Sequence, residues 1–190
     1  MVLEIVIAFV VIVIIVLLVG YIISLYNQLV SLNERVDQAK QNIDVLLKQR
    51  QDELSKLVDT AREFMDQEEQ VLVDLAEARE QAQKADTPAQ QADADQLVRT
   101  AMADFKARTE AYPELKSQEN MMQLQERITE VESQISDRRE FYNEAVTRFN
   151  TRISQFPYVI LARQMGLSDK ELFRATEEEK EDVDIGEAFA

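Results

Sequence analysis

An all-α fold, in which an N-terminal transmembrane helix is followed by an antiparallel up-and-down helical bundle with long helices, is predicted by three features of this sequence. An unbroken apolar run, Ile5 to Val19 and on through Gly20, Tyr21, Ile22 and Ile23, opens the chain. After Asn27 the residues are polar and charged, with apolar positions recurring at alternating three and four spacings. Only Gly 3 and Pro 3 punctuate 190 residues, so long uninterrupted helices are expected. No β-type alternation competes, and a helix with one apolar stripe must bury it against neighbours.

The apolar run comes first. About nineteen uncharged residues at about 1.5 Å rise each make roughly 28 Å of helix, which matches a hydrocarbon core of about 30 Å. A cleaved signal peptide would want a basic n-region and a small-residue cleavage site. Here Glu4 precedes the run, no Lys or Arg comes before Arg35, and no A-x-A-like site follows, so a retained anchor is predicted. A soluble core helix would show one polar face, and this run shows none. Arg35, Lys40, Lys48 and Arg50 follow the span, so the positive-inside rule puts the N-terminus outside and the bundle in the cytoplasm of a single-pass protein of the cell membrane.

Behind the anchor a heptad-type seam reads Leu29, Leu32, Val36, Ala39, Ile43, Leu46, then Leu54, Leu57, Ala61, Phe64, Glu68, Val71, Leu75, Ala78 and Ala82. The four-plus-four spacing from Leu46 through Arg50 to Leu54 is a stutter. One helix from Tyr26 to about Ala85 is predicted. Thr87 as N-cap and Pro88 in the first turn start a second helix, with Ala94, Leu97, Ala101, Phe105, Arg108 and Tyr112 in its seam. Tyr112-Pro113 breaks it. A third helix carries Met121, Leu124, Ile128, Val131, Ile135, Arg138, Tyr142, Ala145, Phe149, Ile153 and Phe156, and stops at Pro157. A hairpin with the last two helices merged through a kink at Pro113 is the alternative. Tyr158 to Met165 adds a short helix before Gly166, and Glu177 to Asp182 form an acidic, mobile tail. The expected organisation is an anchor over 1–25, a helical bundle over 26–157, and a short helix with the tail over 158–190.

Composition narrows function. Cys 0 excludes disulfides, thiolate sites and lipoprotein processing, and His 0 removes the commonest metal ligand and the usual general base. The net charge of −15 argues against nucleic acid and against attachment to anionic headgroups. It also fits a halophile's protein, adapted to a salt-rich cytoplasm.

Tyr26-Asn27 with Leu29-Val30, Ile43-Asp44-Val45 with Leu47-Lys48 and Arg50, Leu57-Val58, and Tyr112-Pro113-Glu114-Leu115-Lys116 share a pattern. The strongest block is Leu124-Gln125, Glu132, Ile135, Arg139, Phe141-Tyr142-Asn143, Ala145-Val146, Phe149-Asn150, Phe156-Pro157 and Gly166. On these residues the chain resembles the LemA family over nearly its full length. The resemblance implies a short N-terminal membrane helix joined to an all-α bundle, and it speaks to membrane localisation and fold without assigning a molecular activity. Many members have a Pro after the position of Arg50, where this chain reads Asp52-Glu53-Leu54-Ser55-Lys56-Leu57, so the helix breaker is missing.

Candidate constellations all have plain structural readings. Glu126, Glu130 and Glu132, or Asp74, Glu77 and Glu80, could bind a hard cation, but without His a bundle di-iron site cannot be assembled, and solvated faces explain them. Tyr26-Asn27, Tyr142-Asn143 and Phe149-Asn150 read as core aromatics with an amide at the core edge rather than as a ligand pocket. Gly20 and Ser24 form a small-xxx-small pair in the span. Arg50, Glu68 and Arg138 occupy seam positions and need partners. An internal Arg–Glu pair setting helix register is expected, a partner-facing groove or a solvent-accessible seam edge being the other readings.

No catalytic, cofactor-binding or metal-ligating residue is therefore assigned. The predicted function is a non-enzymatic membrane-anchored scaffold or adaptor for membrane-associated proteins, with membrane proteases and quality-control machinery as the partners that the resemblance brings forward. The alternative is a self-assembling coiled-coil protein forming homo-oligomers on the membrane. An enzyme would have to use Ser, Asp, Glu, Lys or Tyr, which no spacing organises.

Overall fold

The apolar run and the first seam belong to one helix, α1, which covers Val2–Arg62, 61 residues. It was obtained in a computed structural model that describes residues 1–65, 68–116 and 118–173. The acidic stretch Glu177 to Asp182 lies outside the described residues. The other elements are α2 (Glu69–Lys84), α3 (Pro88–Thr109), the single turn α4 (Pro113–Lys116), α5 (Glu119–Ser154) and α6 (Tyr158–Gln164). The described chain is all-helical, with long helices packed antiparallel.

α1 is long and apolar enough near the N-terminus to cross a membrane, and none of the side chains in its most apolar window is buried. Burial begins at Leu25, 5% exposed, and continues at Leu29 and Val36. The bare apolar stretch of α1 thus ends where packing begins.

The expected continuous helix from Tyr26 to Ala85 is instead two helices. After Arg62 the amides of Phe64 and Met65 both donate to the Ala61 carbonyl at 3.0 Å, and Glu68 N–H donates to the Met65 carbonyl at 3.0 Å. No Gly or Pro marks this turn. Its cause is tertiary, because Leu72, Leu75, Ala78 and Ala82 on α2 share one core with Leu54, Leu57, Val58 and Ala61 on α1. A straight helix would leave both stripes in water, and burial of an apolar face outweighs local helix continuity. Arg79 Nη1 donates to Ser55 Oγ at 2.6 Å across the pair.

α3 starts as predicted. Thr87 Oγ1 accepts from Gln90 N–H at 3.2 Å, Gln90 Oε1 accepts from Thr87 N–H at 3.3 Å, and Pro88 stands in the first turn. Its buried face, however, is Gln91, Ala94, Asp95, Val98, Ala101, Phe105 and Thr109, whereas Leu97 and Arg108 are exposed. Ala94, Ala101 and Phe105 keep their predicted places, while Val98 and Thr109, each one residue further on, replace Leu97 and Arg108, because the buried face widens to take in the charged Asp95 beside Ala94. Along α5 the predicted seam is buried except at Arg138 and Ala145, and Phe156 beyond its end is exposed. Just past the end of α6 Gly166 stands at φ +67°, with Leu167 N–H donating to the Ala162 carbonyl and Gly166 N–H to the Arg163 carbonyl. This is a Schellman cap, which favours glycine at the left-handed position.

The chain divides into two packed units. The first joins Met1–Lys40 of α1 to Tyr142–Glu171, which holds the end of α5 and all of α6. Tyr158 Oη donates to Gln28 Oε1 at 2.6 Å, and Lys170 Nζ meets Asp37 Oδ1 at 2.6 Å. Tyr142 Oη donates to the Glu171 carbonyl at 3.0 Å. Asn150 clamps the segment after Gly166 by donating to the Lys170 carbonyl and accepting from its N–H, both at 2.9 Å. The second unit is Gln41–Phe141 with Leu172 and Phe173, a bundle of α1's end with α2, α3, α4 and the start of α5.

Candidate functional site

A buried polar constellation lies in the second unit. Arg50 follows Ile43 and Leu47 along the inner face of α1 and precedes Leu54, all buried. α3 brings Asp95 inward between Gln91 and Val98. α5 brings Arg139 one turn after Ile135. The Arg50 Nη2 donates to Asp95 Oδ1, and Arg139 Nη1 pairs with Asp95 Oδ2. One carboxylate is thus shared between guanidinium groups from two other helices. Arg50 and Asp95 are each 2% exposed and Arg139 13% exposed.

The surroundings shape the charge balance. The Arg139 guanidinium lies 4.8 Å from the centre of the Phe173 ring, which covers it from the segment after α6. Burial pulls Arg139 below the ordinary arginine value, while Asp95 pulls it back up. Glu132 on α5 is pushed above the usual carboxylate range by burial, against the attraction of Arg50 and Arg99, while Asp95 adds to the rise. Among the described residues Arg50 Nε, Arg139 Nε, Arg139 Nη2 and Glu132 Oε1 have no hydrogen-bond partner. Near this group Glu53, 6% exposed, takes Lys56 at 3.1 Å and Arg127 at 3.9 Å. As α1 ascends from Arg50 to Glu53, α5 descends from Arg139 to Arg127, so these two helices run antiparallel.

Such a shared carboxylate is a register device. Removing one member of a buried pair strands a charge at a cost of about 3–5 kcal/mol, whereas apolar groups of similar volume in place of all members are often tolerated. The three helices can therefore slide past one another only by breaking this group.

Sequence reasoning found one of its three members. Arg50 is in the core as expected, but its partner is an aspartate on α3 and not Glu68. Glu68 sits half-buried at the start of α2 and makes no side-chain capping bond there. Arg138 is exposed, 5.8 Å from the Phe141 ring, and Arg139 takes the inward place. Between Ile135 and Tyr142 the steps three-plus-four and four-plus-three both fit a seam, and the position of Asp95 decides between them. Asp95 escapes a reading by spacing because Ala94 satisfies the period and aspartate is seldom buried. The available signal was electrostatic: two arginines near a seam require an acid on a facing helix.

The remaining candidates are placed as follows. Glu126, Glu130, Asp74, Glu77 and Glu80 are exposed, with Asp74 accepting from Gln70 at 2.7 Å and Glu80 from Lys84 at 2.6 Å. Among the described residues no group of three or more carboxylates could hold a metal ion. Tyr142 and Phe149 are core residues, whereas Tyr26 is exposed, so the aromatic-amide pairs do not line one pocket. A Cβ on Gly20 would meet nothing within 4 Å.

Comparison with known families adds one finding: the model of the LemA family matches residues 24–186. No curated protein matches the chain. The matched region starts at Ser24, one residue before burial begins at Leu25, and leaves the bare apolar stretch of α1 outside.

Proposed function

We propose that this chain, which belongs to the LemA family, is a non-enzymatic scaffold or adaptor held on the membrane by α1, offering its helical surfaces to other membrane-associated proteins. The observation that supports it best is the closure of the polar constellation. Arg50 and Asp95, the side chains most suited to chemistry by proximity, are 2% exposed and spent on each other. A substrate has no access to them, and a locked register suits a surface that must keep its shape. On that surface Val45, Met122 and Phe141 stand more than half exposed, and apolar anchors of this kind support protein contacts. Self-assembly through the heptad seams is disfavoured, since Leu29, Val36, Ile43, Leu54 and Leu57 are already buried within the chain. In this reading the bundle is cytoplasmic, on the positive-inside argument, and the candidate partners are membrane proteases or quality-control proteins.

The test is photocrosslinking in native membranes from a benzophenone side chain at Phe141 or at Val45. Discrete adducts with other membrane proteins are expected. Adducts of the chain only with itself would favour the oligomer, and none at either site would overturn the adaptor.

A further inference from the structure

The first unit ends, next to the span, in the turn between α5 and α6. Phe156 is 81% exposed there and Ile160 52% exposed, although neither is in the apolar run that crosses the membrane. Tyr158, between them, is tied to Gln28, three residues past Leu25 on α1, which is about 4.5 Å along the helix axis. The exposed turn is therefore held at the level where the span meets water.

Charge at this end is opposite to that of the chain. Between Glu144 and Asp169 the sequence has Arg148, Arg152 and Arg163 and neither Asp nor Glu, in a protein with 36 acidic residues. α1 carries no charge from Ile5 to Asn33. A groove of about 570 Å³ runs along α1 from Gly20 to Arg35 and is closed on one side by Arg152. Among the described residues neither Arg35 nor Arg152 enters an ion pair, and Asp37 nearby is neutralised by Lys170. Arg152 lies 4.8 Å from the centre of the Tyr158 ring, which orients it toward this end of the unit.

We propose that this end of the unit is a lipid-binding surface: the α5–α6 turn inserts Phe156 and Ile160 at the headgroup boundary, and Arg35 with Arg152 holds the phosphodiester of an anionic phospholipid in the groove. The net charge of −15, which speaks against anionic lipid for the chain as a whole, is not the charge of this surface. Apolar side chains flanked by arginines bind a bilayer boundary through buried apolar area and through headgroup attraction together. Gly20 and Ser24 leave room in the groove for the upper part of an acyl chain against α1. The inference rests on α1 crossing the bilayer.

The chain contains Trp 0, so Phe156→Trp introduces a sole indole at an exposed position. The full chain carrying it, or Ile160→Trp as a second probe, is placed one copy per nanodisc. Quenching by brominated acyl chains and protection from iodide are expected. Brominated phosphatidylglycerol diluted into plain phosphatidylcholine should quench at lower mole fraction than brominated phosphatidylcholine does. Arg35→Gln and Arg152→Gln should each weaken that preference by about fivefold. An indole open to iodide and untouched by brominated lipid in an incorporated chain would overturn the surface alone. Failure to incorporate would overturn the span and the surface with it. Equal quenching by both lipids would overturn the headgroup site, and protection that needs two copies per disc would make the turn a self-interface instead.

Discussion

Arg50 of α1 donates to Asp95 of α3 across 45 residues of sequence, with both side chains withdrawn from water, and the second oxygen of Asp95 is taken by Arg139 of α5. Three helices of the second unit are joined at one carboxylate. Their relative register is therefore set by a group whose members cannot be exchanged singly.

Asp95→Ala should strand two buried guanidinium groups and destabilise the protein by about 3–5 kcal/mol. The triple replacement Arg50→Met, Asp95→Leu and Arg139→Met should recover most of that loss, since it leaves no charge unpaired. Chemical denaturation of the detergent-solubilised chain compares the two. A triple variant as unstable as Asp95→Ala would show that the group contributes stability beyond register.

Glu132 gives a pH dependence of definite sign. Its folded pKa is raised, chiefly by burial. Below the ordinary glutamate value both states are protonated and no penalty exists. As pH rises past that value the unfolded state loses its proton first, and Glu132 then opposes folding until the folded pKa is passed, after which the penalty is constant. Glu132→Gln should therefore gain stability relative to the parent as pH rises from about 4 to about 8. Denaturation midpoints of the pair across that range test it, and a difference that does not change with pH would remove Glu132 from the buried group.

Tyr142 fills the core of the first unit and bonds the Glu171 carbonyl at 3.0 Å. Tyr142→Ala should cost about 3 kcal/mol or more, and Tyr142→Phe about 1 kcal/mol from the lost hydrogen bond. Phe156→Ala, at a largely exposed site, should change detergent-solubilised stability by less than about 0.5 kcal/mol. The ordering of the three midpoints is the measurement.

Salt should stabilise this chain steeply if its −15 charge is an adaptation to a salt-rich cytoplasm. Repulsion among exposed carboxylates is relieved as the Debye length falls from about 30 Å at 0.01 M to about 3 Å at 1 M. The melting temperature should climb through that range of KCl, and replacing several exposed glutamates by Gln should mimic it. A flat profile would leave the charge as ordinary solubilisation.

The sequence by itself determined what depends on local periodicity: the apolar span, the helical class, the Thr87–Pro88 start of α3, the Gly166 stop after α6, and the core positions of Leu29, Ile43, Leu54, Tyr142 and Phe149. Each of these follows from spacing or from backbone preference within a few residues. Tertiary structure alone decided the turn between Arg62 and Glu69, because no breaker residue marks it and only the burial of two apolar stripes against each other requires it. It also decided that Asp95 and Arg139, rather than Ala94's other neighbours or Arg138, complete the group at Arg50. A seam defines a helix face only to within one residue, about 100° of rotation, and the choice within that width falls to the charge on the facing helix.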